Sequence, residues 1–97
     1  MHRSLVERRL SQVAERLRAL REELRVIDEQ LVQLSDDADE ARLRSLVSET
    51  PLAERDHREA QRHADAMAAR RDEVASEIAA LEARQDELLD QLLSEWS

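Results

Sequence analysis

Four groups of residues in this sequence have types and spacings that could do chemistry. Glu54 and His57, in the stretch ERDH, stand three apart, so on a helix the carboxylate and imidazole share one face and could reach a single metal ion. Asp36, Asp37, Asp39 and Glu40 crowd four carboxylates into DDADE. Arg71 and Gln85 are polar residues in an otherwise apolar repeat, where such groups set the register or oligomeric state of packed helices. The last twelve residues, DELLDQLLSEWS, carry Leu88, Leu89, Leu92, Leu93 and Trp96, a surface suited to another protein rather than to a small molecule.

The bland alternative wins for the first group. A carboxylate–imidazole metal site in a helical bundle needs further carboxylates projecting inward from the facing helices, and the facing positions here are Leu, Val and Ile. His57 is therefore read as a residue of the helix seam and no metal is expected. Ser4, Ser11, Ser45 and Ser48 have no His and Asp arranged about them, so no catalytic residues and no enzyme are expected. Glycine is absent, which removes phosphate-cradling loops and dinucleotide fingerprints, and no cofactor is expected. With no cysteine there is neither a disulfide nor a thiolate site. Phe and Tyr are also absent, and the net charge is −8, so nucleic acid is disfavoured as a partner. No apolar run approaches a membrane span and the N-terminus is too charged for a signal-peptide core, which makes a cytoplasmic protein the expectation.

The elements that must position these residues follow from periodicity. Charged residues make up 39% of the 97, and the apolar ones are almost all Leu, Val, Ile and Ala, the composition of a long helix or coiled coil. From Val6 the apolar positions run through Leu10, Val13, Leu17, Leu20, Leu24, Ile27, Leu31 and Leu34, alternating steps of four and three. This heptad seam demands a partner helix along its length. The large apolar residues then stop. Ser35 or Asp36 reads as the N-cap of a short corner helix, with Asp39 and Glu40 in its first turn and Leu43, Leu46 and Val47 on one side. Thr50–Pro51 reads as another start, Thr as N-cap and Pro at the first helical position. A second, alanine-rich seam follows: Ala53, His57, Ala60, Ala64, Met67, Arg71, Val74, Ile78, Leu81, Gln85, Leu88 and Leu92.

The expected fold is all-α: an antiparallel coiled-coil hairpin with arms at 1–35 and 51–97 and an acidic corner at 36–50, assembling into a dimeric bundle. Two registers compete. One sets Leu10 against Val74 and Leu17 against Met67; a slip brings Arg16 to Glu77 and Glu23 to Arg70. In both, the second arm outruns the first, so DELLDQLLSEWS overhangs and its leucines lack cover within the chain.

A helical hairpin with Asp36, Asp37, Asp39 and Glu40 at its tip resembles the coiled-coil arm of bacterial transcript-cleavage factors. That resemblance implies a transcription regulator that reaches into RNA polymerase and helps hold a catalytic magnesium. The leading expectation is different: a non-catalytic interaction or regulatory module, a homodimer or a small subunit on a larger protein. Its recognition surface would be Leu88, Leu89, Leu92, Leu93 and Trp96, with Leu43, Leu46 and Val47 as a second surface.

Overall fold

The computed structural model describes residues 3–96, with side chains from Ser4 to Glu95. Two helices account for nearly all of it: α1, Arg3–Ser48, and α2, Pro51–Trp96, each of 46 residues and joined through Glu49 and Thr50. They form an antiparallel hairpin. The chain divides into two packed units, a terminal unit of Met1–Leu24 with Val74–Ser97 and a turn unit of Arg25–Glu73.

The break between the helices is specified locally. Pro51 forces the residue before it out of the helical region, so α1 has to end before Thr50. Glu49 closes α1 in the left-handed conformation, with φ of 50°, and donates its N–H to the Ser45 carbonyl at 3.1 Å. Ser48 Oγ donates to the Arg44 carbonyl at 2.5 Å, occupying another acceptor of the last turn. Thr50 then caps α2 as its residue type suggests, its Oγ1 accepting from the Ala53 N–H at 3.2 Å, and Pro51 takes the first helical position.

A left-handed Glu carries a steric cost that glycine lacks. Glu49→Gly is therefore expected to stabilise the hairpin by about 0.5 to 1 kcal/mol, after allowance for the freer unfolded chain. A rise in urea midpoint with unchanged slope would show it.

The corner expected at 36–50 is not a separate element. α1 continues through it because the a and d positions go on in phase as Ala38, Ala41, Ser45 and Ser48, and nothing before Pro51 breaks a helix. Ala38 and Ala41 are buried and Ser45 is half-buried. The seam shrinks in side-chain size without changing its period. Ser35 and Asp36 are accordingly mid-helix residues rather than N-caps.

In the terminal unit the core is Val6, Leu17 and Leu20 of α1 against Val74, Ile78 and Leu88 of α2. Two ion pairs bridge the helices there, Arg16 to Glu77 at 3.0 Å and Arg21 to Glu82 at 3.2 Å. They lie at matching g and e positions, and the seam between them sets Leu17 against Leu81, Leu20 against Ile78, Leu10 against Leu88 and Val6 against Leu92. The contact expected from the slipped register, Arg16 with Glu77, is therefore present, whereas the pairing of Leu10 with Val74 is replaced. In the turn unit the buried set is smaller, Ile27, Ala38, Ala41 and Ala64, and Asp28 pairs with Arg71 at 2.6 Å.

The overhang is overturned with the corner. Once α1 runs to Ser48 it is as long as α2, and Leu88 is fully buried at 0% exposure. Every position of the alanine-rich seam from Ala53 to Leu92 is buried or half-buried, as its spacing requires.

Candidate interaction surfaces

With the a and d positions consumed by the hairpin, large apolar residues elsewhere on the helices have nowhere in the chain to go. Leu43, Leu46 and Val47 fall at outward heptad positions while Ala41 and Ser45 fill the seam. They are 63, 63 and 85% exposed, and Leu52, in the first turn of α2, is 64% exposed. The tight link through Glu49 and Thr50 brings these two helix ends together around an open groove of about 430 Å³. Leu43, Val47, Leu52 and Ala53 form its apolar floor, with Arg44 contributed by α1 and Asp56 by α2. A second groove of about 460 Å³, sharing Leu43, is lined by Asp39, Arg42, Leu43 and Leu46.

Leu43, Leu46 and Val47 are the second surface expected from the sequence; Leu52 joins them here without having been expected. The signal was available: a turn at Glu49–Thr50 places Leu52 beside Val47, but a corner spread over 36–50 does not.

The C-terminal leucines divide. Leu88 belongs to the core, Leu92 is half-buried, and Leu89 and Leu93 are exposed one turn apart on the same side of α2. The side chain of Trp96 lies outside those described. Of these leucines only Leu89 and Leu93 face outward, a narrow pair rather than the five-residue surface expected.

The acidic group is also displaced from its expected place. Asp36, Asp37, Asp39 and Glu40 are exposed along α1 on either side of Ala38, about two and a half to three and a half turns before the link, so they do not form the tip. Asp37 accepts a hydrogen bond from Gln33 Nε2 at 3.0 Å, an ordinary contact along one helix. The hairpin tip on which the likeness to transcript-cleavage factors rests carries exposed aliphatic residues rather than this acidic group.

Arg71 has an acidic partner in Asp28, reached through Nε across the seam. Both side chains remain close to half exposed, at 40 and 48%, so removing one leaves the other wet rather than stranded. A double-mutant cycle on Asp28→Ala and Arg71→Ala is expected to return a coupling of about 0.5 to 1 kcal/mol that falls as salt rises. Gln85 is half-buried beside Ala14 and Leu17, with Arg18, Arg21 and Glu22 lining the same groove.

Glu54 is exposed and His57 half-buried at the start of α2. Among the described residues no group of three or more metal-ligating side chains is assembled, and no helix is long and apolar enough to cross a membrane.

The class this arrangement defines is an all-helical hairpin whose distinctive surface is an apolar face at the turn, consistent with a general role in protein interaction. Comparison with known protein families, with curated proteins and with solved structures gives no match.

Proposed function

We propose that the chain is a non-catalytic protein–protein interaction module that recognises its partner through the apolar face at the turn. The observation that carries this reading is the clustering of four large, mostly exposed aliphatic side chains at the turn: Leu43, Val47 and Leu52 line one groove, and Leu46 lines the adjoining groove that shares Leu43. Single exposed leucines are ordinary on a protein surface, whereas a contiguous group rimmed by charge marks a contact site. The groove is open and is built from two helix ends, without a walled pocket that would exclude water from a reaction. Leu89 and Leu93 offer a smaller, second contact.

Photo-crosslinking in the cells of origin tests the reading. A photoreactive residue at Val47 is expected to crosslink strongly to protein, and one at Asp72, on the exposed side of α2, is not. Equal yields from the two positions would remove the basis for assigning the turn face this role.

A further inference from the structure

We infer that the occupant of the turn face is a second copy of this chain, giving a two-fold dimer joined through the turn units. The inference rests on the turn face being a binding surface and adds the identity of the partner. Charge complementarity favours this occupant. The groove lined by Leu43, Val47 and Leu52 carries one cation and one anion, Arg44 from α1 and Asp56 from α2. Neither takes part in an ion pair among the described residues, although cross-helix pairs form at Arg16–Glu77, Arg21–Glu82 and Asp28–Arg71.

The neighbouring groove repeats the arrangement with Asp39 and Arg42 beside Leu43 and Leu46, again without an ion pair between them. A wholly basic partner would meet Arg42 and Arg44 with like charge, and a wholly acidic one would do the same at Asp39 and Asp56. A two-fold axis resolves both conflicts, because it turns the face against itself and carries each Arg to the acid of the other copy. Leu43, Leu46, Val47 and Leu52 of the two chains then cover one another, and Arg44 pairs with Asp56 twice, once on each side of the axis.

Sedimentation equilibrium of the purified full chain over a wide concentration range tests this. Wild type is expected to reach the mass of two chains. Val47→Glu and Leu46→Glu should each return it to the mass of one with helicity by circular dichroism unchanged, because both side chains are outside the seam. Leu93→Glu should leave the dimer intact. Arg44→Asp and Asp56→Arg should each weaken dimerisation about tenfold or more, and the two together should restore it.

A wild type that stays at one mass throughout overturns the second copy as occupant. If Val47 then crosslinks to a different protein in cells, the turn face stands as a binding surface with another partner. A dimer that survives Val47→Glu, or is broken by Leu93→Glu, overturns the turn face itself as the site of self-association. Failure of the double charge exchange to restore dimerisation overturns the Arg44–Asp56 pairing on which the choice of partner rests.

Discussion

Leu88→Ala is expected to lower the unfolding free energy by about 2 to 5 kcal/mol, the range for removing three methyl-sized carbons from a packed core. The reason is its position. Leu88 is fully buried in the terminal unit, at the d position that faces Leu10. Its neighbour Leu89 and the more exposed Leu93 belong to the same run of leucines but point elsewhere, and Leu93→Ala is expected to change stability by less than about 0.5 kcal/mol. Urea unfolding of both variants at two protein concentrations is the measurement. A large loss for Leu88→Ala that is independent of concentration would place the residue inside one chain. If the loss disappeared on dilution, Leu88 would instead be covered by another molecule, and the register drawn from Arg16–Glu77 and Arg21–Glu82 would have to be abandoned.

The second large effect is expected from Asp37→Pro. In a corner helix capped by Asp36, residue 37 would be the first helical position, where proline is welcome. In the continuous α1 it is interior, so proline removes the bond from its own N–H to the carbonyl of Gln33 and drives its ring against that carbonyl. The cost is then about 3 kcal/mol or more. Because Asp37 is exposed, no lost packing confuses the result, and Asp37→Ala serves as the control with an effect of only a few tenths of a kcal/mol. A proline variant as stable as wild type would mean that the helix starts at Asp37 after all.

These two residues also mark where the fold was legible in the sequence and where it was not. The strict alternation from Val6 to Leu34, the seam from Ala53 to Leu92 and the Thr50–Pro51 start are set by local chemistry, and the hairpin follows from them. The length of α1 was harder to read because its seam changes from leucine to alanine and serine at Ala38. A search for large apolar residues loses a helix at that point although the heptad continues. That one misreading shortened the first arm, shifted the pairing of every residue opposite it and left Leu88 apparently uncovered.

The surface assignments inherited the same error. Leu43, Leu46 and Val47 were visible as an apolar group off the seam, but their prominence depends on where the chain reverses. Only a reversal at Glu49 and Thr50 joins them to Leu52 and moves the carboxylates of Asp36, Asp37, Asp39 and Glu40 away from the tip. The Asp28–Arg71 pair was not legible because it depends on a register that the two helix patterns leave open.

The uneven distribution of large side chains has a kinetic consequence. Contacts next to the Glu49–Thr50 link close short loops, while those between Val6 and Leu92 close a loop of almost the entire polypeptide and carry a greater entropic cost. Yet the small side chains lie near the link and the bulky ones far from it in sequence. Nucleation near the bend thus begins with weak contacts, and the strongest adhesion arrives last. Changes around Ala38, Ala41 and Ala64 should consequently slow folding, whereas changes at Leu88 should mainly hasten unfolding.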